Sequence, residues 1–295
     1  MTVPAARRRW AGQSSPEGSR LSHHFSRGGA LELWGYRELV GRLVQRELGA
    51  RYKKSLLGWA WSMLNPAATL VIFALVFGVL LRFIPPRAGN DQFESFALYL
   101  FCALVMWNVF YGVVTGAMES LLKAGPLLSK VYFPPEAPAV ANLLTVLLQA
   151  AIEVSILMLI LISLSNVSWT FLLWPVLLML LAVLALGIGL ALSVWNVRYR
   201  DISYLTSIAL QFLFYATPIV YPLNVIPERA IGLPMQDIIR LNPLSQFTEA
   251  SRELLYGLRW PGLLRLGAMA LISLAVGVGG WLIFKARARD VAEEL

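Results

Sequence analysis

The sequence predicts an all-α integral membrane protein with six transmembrane helices, an interface helix before them, a short rigid helix on the cytosolic side and small re-entrant segments outside. Two observations carry this. Hydrophobic residues make up 58% of the 295-residue chain and charged residues 14%, against about 25% charged in an ordinary soluble domain. A soluble fold of this size cannot bury that much apolar surface, whereas a bilayer supplies an apolar solvent. The second observation is that the apolar residues gather into runs near the length of about 20 residues that crosses a hydrocarbon core.

Residues 1–30 carry Arg7, Arg8 and Arg9, then Gly, Ser and Pro, with no apolar core. They read as a disordered cytosolic tail rather than a signal peptide. Residues 31–55 form the amphipathic interface helix. Leu33, Tyr36, Leu39, Val40, Leu43, Val44 and Leu48 recur at helical spacing, and Arg37, Glu38, Arg42, Gln45 and Arg46 fill the other face. That pattern suits a helix lying on a membrane surface. The transmembrane domain follows over 56–288, with spans expected at 58–82, 96–116, 137–163, 170–195, 203–221 and 262–284. Residues 289–295 read as a cytosolic tail.

The charges orient these spans. With the N-terminus inside, the inner segments hold 18 Lys and Arg and the outer segments 7, so both termini are expected in the cytosol. The net charge of +8 is thereby explained without nucleic acid. Tryptophans near the span ends, Trp59, Trp61, Trp174, Trp195, Trp260 and Trp281, suit interfacial anchoring. The lone Cys102 can form no internal disulfide, and the adjacent His23 and His24 lack the further ligands a metal site needs. No metal or catalytic site is expected.

An enzyme would need an acid–base pair, an activated nucleophile or metal ligands. Asp91 and Glu94 are close but have no histidine near them, and Asp201 suits a local ion pair with its arginine neighbours. No phosphate-binding Gly-x-x-x-x-Gly-Lys-Ser/Thr loop is present. Glu153, with Gln149 one turn earlier, is the one acid deep in a predicted span. A charge there costs about 2.5–3.5 kcal/mol on insertion scales, so it should face protein or water. A channel-lining group and a packed hydrogen-bonded group are equal readings. Segment 117–136 is expected to be a separate amphipathic piece, broken by Pro126 and closed by Pro134-Pro135, suited to docking another subunit. The proline-divided segment 222–261 holds apolar pieces too short to span, which suit re-entrant helices shielding an outer mouth.

Three stretches together resemble the permeases of polysaccharide-exporting ABC transporters, the group that handles O-antigen, teichoic acid and related glycans. The first runs Arg46-Glu47-Leu48, then Arg51-Tyr52-Lys53-Lys54-Ser55-Leu56-Leu57-Gly58, to Trp61 and Pro66. The second is Val197-Arg198-Tyr199-Arg200-Asp201-Ile202, leading to Thr217-Pro218-Ile219-Val220-Tyr221-Pro222. The third is Leu241-Asn242-Pro243-Leu244 with Arg252 and Leu255-Tyr256-Gly257. The similarity covers roughly 31–288, and the order and spacing are more specific than any one piece.

The resemblance implies a multi-pass permease of the plasma (inner) membrane. It implies a homodimer joined by two copies of a separate P-loop ATPase, which holds the ATP and Mg, and a lipid-linked polysaccharide passing between the two copies. Residues 117–134 would be the coupling helix, with Glu119, Leu122, Lys123, Pro126, Leu127, Lys130, Phe133 and Pro134 at the ATPase. Pro218, Pro222, Asn242, Pro243 and Arg252 would belong to the outer gate. A sugar polymer carries apolar C–H faces that aromatic rings can hold loosely. Trp107, Tyr111, Phe214, Tyr215 and Tyr221, with Glu153, are the expected channel lining, ordinary helix packing being the competing reading. Arg51, Lys53 and Lys54 are placed to meet lipid phosphates, whether of the substrate or of ordinary headgroups. An ion-coupled carrier and a membrane-integral glycan or lipid transferase are the alternatives.

Overall fold

The computed structural model of the chain describes residues 34–52, 60–128, 133–229, 232 and 234–294. Among them the fold is helical and contains no strand. Helix α1 is Arg37–Tyr52, and α2 is Ala60–Phe73, which continues without a break into a π-helical stretch, Ala74–Leu80. Then come α3 (Phe96–Leu128), α4 (Ala137–Ser163), a 3-10 turn (Trp169–Leu173), α5 (Trp174–Arg198) and α6 (Asp201–Ala216). Helices α7 (Met235–Leu241), α8 (Pro243–Leu255) and α9 (Leu263–Glu294) complete the chain.

Helices α3 and α5 lie at the centre. Helix α4 packs on α3, α9 on α5, and α6 and α2 on α3, while α8 caps the ends of α3 and α5 at one end of the bundle. Helix α1 lies across the opposite end, where Val40 is buried with Ala124, Phe133, Ala137 and Ala141. The two ends are named here the α8 end and the α1 end.

Glycines set the closest approaches. Gly187 and Gly189 sit in the middle of α5, where each costs up to about 1 kcal/mol relative to alanine. A Cβ on Gly187 would stand 2.5 Å from the Val276 carbonyl oxygen of α9, and one on Gly189 would stand 2.6 Å from the Ala117 Cβ of α3. One glycine admits one neighbour and the next admits the other. In apolar surroundings this is how helices gain packing without a hydrophobic drive between them.

Among the described residues, four helices are long and apolar enough to cross a membrane: Phe96–Gly125, Ala137–Ser163, Trp169–Arg198 and Leu263–Arg287. The two other expected spans are shorter. The apolar part of α2 with its π-helical extension is Ala67–Leu80. Helix α6 has 16 residues, about 24 Å at 1.5 Å each, because the chain turns extended at Thr217 before Pro218.

One further expectation is corrected. Segment 117–134 is no separate helix, since α3 runs on to Leu128 without a break at Pro126. A proline this near a helix end removes a single backbone bond, and burial of Leu121, Ala124 and Gly125 holds the last turns in place. Residues 289–294 of the expected C-terminal tail are helical and form the last turns of α9. The expected N-terminal tail, residues 1–30, lies outside the described residues.

A Cβ on Gly280 would overlap the Gly187 carbonyl, whereas Gly279 has nothing within 4 Å. Gly280→Val should therefore cost about 1–3 kcal/mol and appear as earlier loss of the monodisperse peak on heating in detergent. Gly279→Val should melt like the parent.

Candidate functional site

At the α8 end the backbone leaves helical geometry at Thr217-Pro218-Ile219-Val220, yet all four residues are buried. Their carbonyls need partners, because an unpaired polar group in an apolar interior costs several kcal/mol. Arg252, on α8 and 3% exposed, supplies them for Pro218 and Ile219. Its Nη1 donates to the Pro218 carbonyl at 2.7 Å and its Nη2 to that of Ile219 at 2.5 Å. Its Nε donates to the Tyr99 carbonyl on α3 at 3.3 Å. The Glu249 carboxylate, one helical turn before, accepts from Nη1 at 2.7 Å, and the guanidinium stacks over the Tyr99 ring, 4.1 Å from its centroid. A planar fork with five N–H groups suits such a site, and a lysine could not fill it.

Helix α8 is held as fully at its ends. Asn242 accepts from the Leu244 amide at 3.0 Å as N-cap and donates to Thr217 Oγ1 at 2.9 Å. The last carbonyls of a helix lack internal partners, and here each finds one. Those of Arg252 and Glu253 accept from the backbone of residues 256, 257 and 259. Thr170 donates to Leu254, and Asn166 to Leu255 and Tyr256, at 2.7, 3.0 and 3.1 Å. Trp174 donates to Ser251 at 3.0 Å, and Ser251 donates to the Cys102 carbonyl at 2.7 Å. Arg265 at the start of α9 forks onto Glu253 at 2.7 and 2.8 Å.

Beside this cap runs an aromatic face. Trp107 and Phe214 meet edge to face at 5.2 Å, and Phe214 stacks on Phe73 of α2 at 5.9 Å. Tyr111 lies 6.3 Å from Trp107, and Tyr215 lies 5.2 Å from Phe214. Tyr221 donates to the Tyr215 carbonyl at 2.7 Å. Five of the expected lining residues are thus brought together, and Tyr111 and Tyr215 are open, at 44% and 59% exposure. Tyr204, Ile208 and Phe212 continue the open side of α6. Sequence reasoning passed over Tyr204 and Phe212, although their spacing to Tyr215 puts all three on one helix face.

Glu153 is elsewhere. It is 2% exposed between α4 and α3, accepting from Gln149 at 3.1 Å and bonded to the Asn108 side chain. Of its two readings, the packed hydrogen-bonded group fits this placement.

The expected docking residues divide by exposure. Leu122 and Lys123 are exposed, Glu119 pairs with Lys123 at 2.7 Å, and Leu127 is half-buried. Phe133 is buried with Val40 of α1 and Ala137 and Ala141 of α4, and Pro134 is buried too, so neither offers surface. Lys130, Lys53 and Lys54 lie outside the described residues, and for Pro126 and Arg51 only the helical backbone is described. Of the expected gate residues, Pro218 and Pro222 are buried and Asn242 and Pro243 half-buried. Asp201 makes no ion pair among the described residues. It stands in the first turn of α6, where a negative charge complements the helix dipole. The groups that Arg252 binds, Tyr99, Glu249 and the carbonyls after Thr217, carry no sequence signal of their own. No cluster of three metal-ligating side chains occurs among the described residues.

The family profile described as ABC-2 type transporter matches residues 38–256, from the start of α1 to the end of the α8 cap. The chain is similar to the O-antigen export system permease protein RfbA of Myxococcus xanthus, 29% identical over 265 residues that cover 90% of this chain and 98% of that protein. It is 26% identical to RfbA of Klebsiella pneumoniae, with 74% of this chain and 80% of that protein covered. With the polysialic acid transport protein KpsM of Escherichia coli the identity is also 26%, over 72% of this chain and 80% of that protein.

Removing Arg252 would orphan two buried carbonyls and the Glu249 carboxylate. Arg252→Gln should cost about 3–5 kcal/mol and expose the 217–221 segment to limited proteolysis. Arg259→Gln, at an exposed position near the same end, should leave the digestion pattern unchanged.

Proposed function

The chain belongs to the ABC-2 type transporter family, and on that premise we propose that it is the membrane permease of an ATP-driven exporter of a lipid-linked cell-surface polysaccharide. The observation that carries this reading is the match to an O-antigen export permease along 90% of the chain. The open aromatic side of α6 supports it, because rings backed by a rigid cluster hold sugar C–H faces without trapping them.

In this reading two copies meet across the faces bearing Tyr111, Phe212 and Tyr215, and the glycan passes between them with Trp107 and Phe214 behind. Tyr221 steadies Tyr215. The helices α2 and α6, with the buried segment after Thr217, complete six crossings of the plasma membrane. The Lys and Arg asymmetry puts both termini and the α1 end in the cytosol. The α8 end then faces outward, and α7 and α8, with Asn242, Pro243, Pro218, Pro222 and the Arg252 clasp, form the outer gate.

ATP and Mg are bound by a separate P-loop subunit, two copies per dimer. It docks on the inner end of α3 through Leu122 and Glu119, with Pro126 and Lys130 at its margin. Because α3 is one helix from Tyr99 at the clasp to Leu122 at the docking face, a push at one end reaches the other without a joint. Arg51, Lys53 and Lys54 meet the lipid phosphates at the cytosolic surface.

A mild-detergent pull-down of the tagged chain from its host should bring down a P-loop ATPase in about equal amount. Leu122→Asp should lower that recovery about tenfold, as expected for a charge placed in an apolar contact worth about 1.4 kcal/mol, while the chain melts as before. Recovery of the chain alone, without ATPase activity, would overturn the exporter reading.

A further inference from the structure

A groove of about 420 Å³ opens at the α1 end, between α1 and the adjoining ends of α3 and α4. Its apolar wall is Leu43, Ala124, Leu127, Pro138 and Ala141. Gly116 keeps its floor open to Asn142, because a Cβ there would overlap the Asn142 amide, which instead donates to the Gly112 carbonyl at 3.1 Å. Two cations line the groove, Arg46 from α1 and Lys123 from α3.

The charges in this groove are unequally spent. Glu119 is taken up by Lys123 at 2.7 Å, and Glu47, which also lines the groove, has an interaction of its own. Lys123 keeps two further N–H donors. Arg46 is exposed and makes no hydrogen bond or ion pair among the described residues. An apolar wall with an unspent cation at its rim is complementary to an amphiphile with an anionic head. The volume is that of a small-molecule site, enough for a headgroup and the start of a chain. At the cytosolic membrane surface, molecules of that chemistry are at hand in the bilayer itself.

We propose that this groove binds an anionic phospholipid, with its phosphate between Arg46 and Lys123 and its first acyl carbons against Leu43, Ala124 and Leu127. The site rests on the orientation proposed above, which lays α1 along the inner leaflet. The bound lipid fills the gap between α1 and the ends of α3 and α4, and so fixes the surface helix to the bundle.

Native mass spectrometry of the full-length chain in detergent, titrated with phosphatidylglycerol and phosphatidylcholine, tests this. Phosphatidylglycerol should bind preferentially. Arg46→Gln and Lys123→Gln should each weaken it about fivefold, as expected for one basic group near an anionic headgroup. Arg46→Lys, which keeps the charge, should retain it, and the melting temperature in detergent confirms that each variant is folded. Lys285→Gln and Arg287→Gln, on α9 away from the groove, should have no effect.

Equal binding by the groove variants and the parent overturns the site. So does an equal loss in the α9 variants, which would mean general electrostatics. Equal affinity for glycerol phosphate would show an anion site with no lipid, and retention of the host's lipid-linked glycan in preference to phosphatidylglycerol would show a different occupant. None of these readouts uses ATP or transport, so their failure is separate from a failure of the exporter reading.

Discussion

The structure depends on satisfying backbone carbonyls where the chain stops being helical inside an apolar body. Helix α6 ends at Ala216, and the next four residues run buried and irregular. Such a path is stable only if protein groups replace the lost helical bonds. The Arg252 guanidinium does this for Pro218 and Ile219 and reaches α3 through Tyr99. Burying a charge is costly, and Glu249 together with the Tyr99 ring offsets that cost. The same contacts fix where α8 lies, and therefore which ends of α3 and α5 are closed.

The other organising feature is the contrast between a close-packed centre and an open rim. Gly187 and Gly189 bring α5 against α9 and α3 at backbone distance, and α3 is buried along most of its length. Helix α9 is held mainly through α5 and leaves most of its surface open. Helix α6 presents Phe214 inward and Tyr204, Phe212 and Tyr215 outward. The aromatic side is thus open yet backed by packed rings.

Much of this was legible in the sequence, for physical reasons that differ from residue to residue. The long apolar runs located α3, α4, α5 and α9 because hydrophobicity alone marks a span. The end of α3 was not legible. Pro126 reads as a break, and only tertiary burial of Leu121 and Ala124 shows that the helix continues. Arg252 was placed at the outer gate by the resemblance, but nothing local reveals that its partners lie far away in the chain. Glu153 left two readings open, and its hydrogen-bond neighbour Asn108, on another helix, carries no local sequence signal. Phe133 and Pro134 were grouped with the docking surface by the resemblance, but both are buried, Phe133 against Val40 of α1.

The clasp also dictates an order of assembly. Tyr99 and Arg252 are 153 residues apart in the chain, and Ser251 and Cys102 are 149 apart. During synthesis the ends of α3 and α5 wait, uncapped, until most of the polypeptide has emerged. The Pro218 and Ile219 carbonyls must be served meanwhile by water or headgroups, until α8 brings Arg252 to them. A chain that stops short of α8 lacks both that lid and α9, the helix packed on α5 at Gly187, and is the kind of exposed intermediate that cellular quality control recognises and removes.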